Sequence, residues 1–366
     1  MRELLERLVS IESVNPTLVA GGPGEAEVAR FAASWLEERG VEVELDELAP
    51  GRANVVGRVR GAGGGRTLLL NGHLDTVGLG GADAGISARL DDGRLYGRGA
   101  YDMKASVAAM MDVAARAAAG RRLAGDLVLT LVADEEALSV GTERVAGSIR
   151  ADAAIVAEPT DLRLAVAHRG FVWLEVETRG LAAHGSRYDL GEDAIVGMGP
   201  VLVGLERLDA ELAGRPSHPL LGRASVHASL IEGGTELSTY PDRCVVKVER
   251  RTLPGETVEA VEAELRGLAR GASVASFFSR EPLETPRDSP VVELVSRCAE
   301  RVLGAAPEVV GVPFWTDAAL LAAAGIPTVV FGPRGEGAHA DVEWVDPESV
   351  EQLAEILLAA VTDFCS

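Results

Sequence analysis

Four short runs of apolar residues recur along the chain, each bounded by turn-forming or polar residues. The runs are Thr67–Leu70, Leu127–Val132, Ala153–Ala157 and Thr328–Phe331. Continuous apolar runs of this length are typical of parallel strands that are buried on both faces. Helical patterns lie between them, such as Glu25–Arg39 before Gly40 and Met103–Ala119 before Gly120. This alternation predicts an α/β domain with a mostly parallel sheet flanked by helices.

Between residues 171 and 276 the pattern changes. Its predicted elements are the strand Phe171–Thr178, the helix Asp193–Ala213, the strands Ala224–Ile231 and Arg243–Arg251, the helix Thr257–Ala269 and the strand Ser273–Phe278. This order of strands and helices is that of a split α+β sandwich. Helical patterns follow at Val291–Leu303 and Asp317–Ala324, and with them the chain returns to the α/β pattern of its first part. We therefore predict a discontinuous domain of residues 1–170 and 277–366 and an inserted domain of residues 171–276, in keeping with a chain of 366 residues.

The net charge of the chain argues against some classes of binding partner. Lys and Arg number 35 against 56 Asp and Glu, a formal net charge of −21, which argues against nucleic acid or an anionic membrane as partner. No apolar run approaches the roughly 20 residues of a membrane span, and the amphipathic start lacks the apolar core of a signal peptide. Cys244, Cys298 and Cys365 are widely spaced and odd in number, which favours reduced, buried thiols in a cytosolic protein. Glycine-rich stretches at 61–65 and 78–85 are expected to be surface loops.

Histidines and acidic residues follow the apolar runs. They are His73, Asp75, Glu135, Glu136, Glu158 and His339, together with Asp102 before the Ala- and Met-rich helix. In an α/β sheet, ligands bind beyond the carboxyl ends of the strands, where most of these side chains are expected. Two imidazoles with several carboxylates are the ligand chemistry of a zinc-type site, and the set is too large for one closed tetrahedral site. The pattern predicts a hydrolase with two metals that share a bridging carboxylate and a water.

Five motifs in this order resemble the zinc amidohydrolases and peptidases that include acetylornithine deacetylase, succinyl-diaminopimelate desuccinylase, aminoacylase and glutamate carboxypeptidase. The motifs are Asn71-Gly72-His73-Leu74-Asp75-Thr76-Val77, Gly97-Arg98-Gly99-Ala100-Tyr101-Asp102-Met103-Lys104, Ala133-Asp134-Glu135-Glu136, Ala157-Glu158-Pro159-Thr160 and Gly337-Ala338-His339. They span most of the chain. The resemblance implies that the inserted domain is a lid or dimerisation domain.

The resemblance also implies the ligands of two divalent metals. Asp102 would bridge them, with His73 and Glu158 on one metal and Glu136 and His339 on the other. Zinc is the metal expected, with cobalt and manganese as alternatives, because the order of metal affinities does not decide which metal is loaded in the cell.

Catalytic roles follow from the same resemblance. Glu135 would be the general base that takes a proton from the bridging water and returns it to the leaving amine. Asp75, two residues after His73, is expected to hold the imidazole tautomer through its carboxylate.

Three residues of the inserted domain are candidates for substrate recognition. His184 resembles the lid histidine that reaches the active site of the partner subunit and stabilises the oxyanion. Arg251 resembles the lid arginine that binds the substrate carboxylate, a task suited to a guanidinium, and the adjacent Arg250 is the alternative. Ser238 stands where many relatives carry asparagine. Thr316-Asp317 resembles a substrate-side segment, although a helix N-cap explains it equally well.

The leading hypothesis is a dinuclear metal-dependent deacylase of N-acyl amino acids, similar to acetylornithine deacetylase and acting as a cytoplasmic homodimer. There are two alternatives, a metallo-dipeptidase or carboxypeptidase and an enzyme similar to succinyl-diaminopimelate desuccinylase. Both require the same metals and the same residue to bind the substrate carboxylate. A protein that binds an amino-acid derivative without catalysis is the remote alternative, and loss of a ligand or of the base would favour it. No such loss is seen.

Overall fold

The computed structural model describes residues 1–80, 87–120, 123–269 and 271–366, so most of the predicted loop at 78–85 lies outside the described residues. The chain forms two compact units. The first comprises Met1–Val166, Thr285–Val310 and Thr316–Ser366, and the second comprises Ala167–Glu284 and Gly311–Trp315.

Helices and strands alternate through most of the described chain. The helices are α1 (Arg2–Val9), α2 (Ala26–Glu37), α3 (Ala105–Ala119), α4 (Val140–Ser148), α5 (Ala194–Gly214), α6 (Val258–Leu268), α7 (Pro290–Leu303), α8 (Ala318–Ala323) and α9 (Pro347–Phe364). The strands are β1 (Glu42–Ala49), β2 (Arg52–Val59), β3 (Leu68–His73), β4 (Arg89–Asp91), β5 (Arg94–Tyr96), β6 (Leu127–Val132), β7 (Ala153–Val156), β8 (Leu164–His168), β9 (Gly170–Arg179), β10 (Ser225–Gly233), β11 (Arg243–Thr252), β12 (Ser273–Arg280), β13 (Leu283–Glu284), β14 (Val309–Val312), β15 (Thr328–Val330), β16 (Gly335–Glu336) and β17 (Trp344–Val345).

The first unit is built on a large mixed sheet. Its strands follow the order β1-β2-β6-β3-β7-β15-β8, and the central four, β6, β3, β7 and β15, run parallel. These four strands are the four predicted apolar runs, and β3, β6, β7 and β15 are buried along their whole length. Helices flank this sheet, so the predicted α/β class is confirmed. The parallel direction brings the carboxyl ends of the central strands to one edge.

The second unit is an antiparallel sheet with helices on one face. Its strand order is β10-β11-β9-β12, and in chain order the elements run strand, helix, strand, strand, helix, strand as predicted. Alternate residues of β9, such as Val172 and Leu174, are buried in a core with α5 and α6, to which Val201, Leu205 and Leu265 contribute. The opposite residues of each strand form the outer face of this sheet.

The predicted boundaries of the inserted domain differ from the observed unit in three places. The unit begins at Ala167, before the predicted start at residue 171. β12 continues beyond Phe278, because its pairing with β9 extends to Arg280 opposite Phe171. Gly311–Trp315 also belongs to the second unit, since the Trp315 ring packs 6.3 Å from that of Phe171. A sequence pattern cannot show this short return of the chain.

All three cysteines are free and buried, as expected for reduced thiols. Among the described residues, no helix is long and apolar enough to cross a membrane.

Candidate metal centre and active site

The parallel strands bring the candidate ligands of the first unit to one edge of the sheet. His73 is the last residue of β3 and pairs with Val132, the last residue of β6. Glu136 lies just beyond β6, and Glu158 lies two residues beyond β7. The register therefore places side chains from three neighbouring strands side by side.

Asp102 lies at the centre of this group. Its Oδ1 is 3.1 Å from Nε2 of His73, and its Oδ2 is 3.4 Å from Nε2 of His339. Glu158 approaches His73 at 3.6 Å, and Glu136 approaches His339 at 2.9 Å. The two oxygens of one carboxylate thus face two separate histidine–glutamate pairs, which is the arrangement a bridging ligand requires.

A special backbone conformation positions both Asp102 and His339. Asp102 lies in the turn Ala100–Lys104, between β5 and α3, with non-helical dihedral angles. His339 has a positive φ of 63° and follows Gly337, where φ is 88°. A non-glycine residue in this region is uncommon and is often found at functional sites. His339 is also 56 % exposed and borders a cleft of about 640 Å³ lined by parts of 12–22 and 77–80.

The group is short of positive charge. Burial raises the pKa of both Glu135 and Glu158 well above the ordinary value, and the charge of Glu158 raises the pKa of Glu135 further. Hydrogen bonds to Asp102 and Glu136 raise the pKa of His339 to about 10. Oε1 of Glu136 is buried and has no hydrogen-bond partner among the described residues. Clustered carboxylates with an unpaired buried oxygen fit cations as the missing partners.

Two donor sets fit metal ions. One is His73, Asp102 and Glu158, and the other is Asp102, Glu136 and His339, with the donor atoms of each set within 4.8 Å of one another. Imidazole nitrogen with carboxylate oxygen suits zinc and similar divalent metals. The structure brings together all five predicted ligands in the two sets that the resemblance implies, and their metal binding stays a prediction.

Asp75 differs from its predicted role in one respect. Nδ1 of His73 lies 2.9 Å from the main-chain oxygen of Asp75, whereas the carboxylate is 3.6 Å away. The main-chain carbonyl is therefore the group that sets the His73 tautomer. The carboxylate of Asp75 instead accepts hydrogen bonds from the backbone N–H groups of Glu135 and Glu136. It holds the turn on which the predicted base and a predicted ligand stand.

Asn15, which sequence reasoning missed, supports the same turn. Its Nδ2 donates to Asp75 at 2.8 Å and to Asp134 at 3.0 Å, and the residue is fully buried. Asp134 has a positive φ of 71° and also accepts from Arg52. A single asparagine in a loop carries no sequence signal for such a role, because its partners lie 60 and 119 positions away.

Glu343, which sequence reasoning also missed, holds the Asp102 turn. Its Oε1 accepts from the backbone N–H of Tyr101 at 2.8 Å and of Asp102 at 3.0 Å. Its Oε2 accepts from Arg98 at 2.8 Å and from the backbone N–H of Gly99 at 2.9 Å. Glu343 is 2 % exposed and follows His339 by four residues. One buried side chain therefore links the loops that carry the candidate bridging ligand and a second ligand.

Asp317 lies near the base. Burial raises its pKa to about 6, and its carboxylate accepts a hydrogen bond from Thr142 at 2.5 Å. It precedes α8 but makes no side-chain capping hydrogen bond there. The capping explanation of Thr316-Asp317 thus fails for Asp317, whereas Oγ1 of Thr316 accepts from the backbone N–H of Ala318.

In the second unit, His184 and Ser238 are neighbours. The backbone N–H of Gly185 donates to the carbonyl of Ser238 at 2.6 Å, and His184 pairs with Thr239 in an isolated bridge. Nδ1 of His184 accepts from the backbone N–H of Ser186, which holds the imidazole on an exposed loop.

Arg250 and Arg251 lie on opposite faces of β11. Arg250 is fully buried on the inner face, where its guanidinium pairs with Glu256 and lies 3.5 Å from Glu264. Arg251 is partly exposed on the outer face and donates from Nε to Glu249 at 2.7 Å. Because Arg250 is buried and lies beside two acidic side chains, it is not available to bind a substrate carboxylate.

Replacing Glu343 by glutamine should weaken metal binding roughly 10- to 100-fold, the usual effect of losing a residue that orients a ligand. The amide group would direct an N–H donor at one pair of donors on the Asp102 turn. Calorimetric titration of the metal-free protein with Zn²⁺ measures the change, and saturating metal should restore part of any activity. Glu336→Gln, an exposed change on β16 before His339, serves as control. Wild-type affinity in Glu343→Gln would show that the Asp102 turn is held by other contacts.

Known proteins resemble this chain over its whole length. Peptidase family M20/M25/M40 matches residues 69–363. An acetylornithine deacetylase of Myxococcus xanthus is 32 % identical over 394 residues, covering 100 % of this chain and 97 % of the relative. The M20 family metallo-carboxypeptidase Sso-CP2 of Sulfolobus solfataricus is 19 % identical, with a TM-score of 0.81 over 99 % of this chain and 98 % of that chain. The YXEP protein of Bacillus subtilis, a dinuclear metal-binding peptidase from the M20 family, is 18 % identical, with a TM-score of 0.76 over 100 % and 97 %. The predicted resemblance is confirmed: this chain belongs to peptidase family M20/M25/M40 and is an amide-bond hydrolase.

Proposed function

We propose that this protein uses two divalent metal ions to hydrolyse the amide bond of an N-acyl amino acid. The observation that carries the proposal is the pair of donor sets that share Asp102, next to Glu135. The name of the Myxococcus xanthus relative supports deacylation, and the description of the Bacillus subtilis structure supports two metals. Zinc is the proposed metal, with cobalt and manganese as alternatives.

Glu135 is the proposed general base. Divalent metals held by the two donor sets would supply Lewis-acid activation of the attacking water, lowering its pKa towards about 7. Glu135 then accepts the proton of the attacking water and delivers it to the leaving amine. Its backbone N–H donates to Asp75, and this contact fixes the start of the turn. The adjacent Glu136 points to His339, so the two glutamates divide between proton transfer and metal binding.

A peptidase is the second candidate, and its support is the likeness to a metallo-carboxypeptidase. A dipeptide also carries an amide beside a free carboxylate, so it needs the same metals and base. A desuccinylase differs from a deacetylase only in the acyl group. A panel of N-acetyl and N-succinyl amino acids, dipeptides and longer peptides, assayed with metal-loaded protein, separates these substrates. A non-catalytic binding role is disfavoured because every candidate ligand and the base are present.

Replacing Glu135 by alanine should leave two metals bound and lower kcat by on the order of 10² to 10⁴, the usual effect of losing a general base. Glu136→Ala is the matched control, because it should lose metal as well as activity. Atomic absorption after gel filtration and steady-state kinetics measure the two effects. Near-normal turnover by Glu135→Ala would refute the proposed base.

A homodimer through the second unit is the proposed assembly. β10 is an edge strand, and Leu230 and Ile231 on it are 59 % and 53 % exposed. On α5, Val196 and Val203 are 70 % and 46 % exposed. An open edge with adjacent exposed apolar side chains is a template for pairing with a second copy. In such a dimer, His184 is proposed to complete the active site of the partner and to stabilise the oxyanion.

Mixing inactive His184→Ala with inactive Glu135→Ala should therefore restore activity, because half of the sites in a heterodimer receive both residues. Full exchange would give at most about one quarter of the wild-type rate, since half of the dimers are mixed and each has one intact site. Subunit exchange is checked by mass spectrometry of differently labelled chains. Heterodimers without activity would exclude a role for His184 in the partner site.

Arg251 is proposed to bind the substrate carboxylate, with Ser238 contacting the substrate from its loop. Nε of Arg251 donates to Glu249, which orients the guanidinium, and no hydrogen bond from its Nη groups is found among the described residues. This leaves the planar edge of the guanidinium for a bidentate contact. The substrate must then carry a free α-carboxylate. We also propose a cytoplasmic location, because the three buried thiols are free.

Methylating the substrate carboxylate should lower kcat/KM by roughly 30- to 1000-fold, which corresponds to removing one partner of a buried charge pair. Arg251→Ala should lose a similar factor on the free acid but little more on the methyl ester. The control is Arg243→Ala, an exposed arginine at the other end of β11. An Arg251→Ala enzyme that keeps the full preference for the free acid would place the anchor elsewhere.

A further inference from the structure

The outer face of the second unit's sheet carries a cluster of aromatic rings, which we call the aromatic face. Its members are Phe171 and Trp173 on β9, Phe277 and Phe278 on β12, and Trp315. Ring centroids lie 5.1 Å apart for Phe171 and Trp173, 5.2 Å for Trp173 and Phe278, and 6.3 Å for Phe171 and Trp315. A register shift in β12 between Ser276 and Phe278 places two consecutive phenylalanines beside Trp173. Tilted and edge-to-face rings at these distances form one continuous surface.

This concentration is unusual for the composition of the chain. Only 4 % of all residues are aromatic, which is fifteen side chains, and five of them meet here. Phe277 is 54 % exposed, and Trp173, Phe278 and Trp315 are partly exposed. Helices α5 and α6 cover the inner face of the sheet. Exposed aromatic surface that a monomer retains commonly marks a binding site.

Cationic groups border the aromatic face. The guanidinium of Arg251 lies 5.3 Å from the centroid of Phe171, that of Arg280 lies 4.6 Å from Phe278, and the ammonium of Lys247 lies 5.7 Å from Phe277. Glu249 also stands among them and accepts hydrogen bonds from both Arg251 and Trp173, and Glu175 is the register partner of Lys247 on β9. The guanidinium groups of Arg251 and Arg280 beside the rings favour a ligand that has an anionic end and an apolar body, and they disfavour a ligand with a cationic side chain.

We propose that the aromatic face receives the side chain of the substrate, and that this side chain is aromatic or a large apolar group. The inference rests on the proposed function, because it uses Arg251 as the carboxylate anchor. The α-carbon that bears the carboxylate also bears the side chain, so a carboxylate on Arg251 brings the side chain to the rings beside it. An N-acyl phenylalanine or leucine fits both features. The ammonium of an N-acyl ornithine would face the guanidinium groups of Arg251 and Arg280.

The test compares N-acetyl-L-phenylalanine, N-acetyl-L-leucine and N-acetyl-L-ornithine as substrates of the metal-loaded enzyme. The value of kcat/KM for the phenylalanine and leucine compounds should exceed that for the ornithine compound by roughly 10-fold or more. Phe278→Ala should lower kcat/KM for N-acetyl-phenylalanine roughly 10- to 100-fold and change that for N-acetyl-ornithine less than about 3-fold. Phe314→Ala is the control, because Phe314 is 41 % exposed and adjacent to Trp315, yet no ring contact to the aromatic face is found among the described residues.

Binding without turnover separates this inference from the proposed function. In Glu135→Ala, N-acetyl-phenylalanine should change the tryptophan fluorescence, and Trp173→Phe should remove most of that change. Efficient hydrolysis of N-acetyl-ornithine with poor hydrolysis of the phenylalanine compound would overturn the inference and leave the proposed function intact. If no N-acyl amino acid is hydrolysed, the proposed function fails, and the fluorescence then decides the inference. Binding that depends on Trp173 and Phe278 supports it, and an unchanged emission overturns it.

Discussion

The contact between Glu343 and the turn that carries Asp102 is the constraint on which the candidate metal centre depends. A bridging carboxylate must direct its two oxygens to different partners. The backbone that carries it must therefore be fixed by contacts other than those of the carboxylate itself. Glu343 does this with four accepted hydrogen bonds, three of them from consecutive or nearby backbone N–H groups. Because Glu343 and His339 share one loop, the same contact also fixes the approach of His339 to Asp102.

A second layer of contacts holds the Glu135-Glu136 turn. Asp75 accepts from both backbone N–H groups, and Asn15 links Asp75 to Asp134. Such buried polar networks are favourable only when most members are paired, since an unpaired buried group is costly. Here the side chains of Asp75 and Asn15 are hydrogen-bonded, while Oε1 of Glu136, a candidate ligand, is buried without a hydrogen-bond partner among the described residues. That oxygen is the one directed to a proposed cation.

The two units present different chemistry. The first offers carboxylates and imidazoles at the edge of a parallel sheet, a set suited to amide hydrolysis in general. The second offers an aromatic surface bordered by cations and an exposed edge strand, features that discriminate between ligands and partners. The candidate metal site can act on an amide whatever groups flank it. Substrate preference is therefore expected to depend on the residues of the second unit.

The sequence by itself determined the four central strands, the order of elements in the second unit and the five candidate ligands. Continuous apolar runs can be read locally, and histidines and acids at their ends stand out in an ordered set of motifs. Tertiary structure decided the rest. Arg250 and Arg251 are equivalent in a sequence, but the pleat of β11 buries one and exposes the other. The contacts of Glu343 and Asn15 and the return of Trp315 to β9 join residues 60 to 245 positions apart in the chain. No local pattern encodes a contact that is made only when distant segments meet.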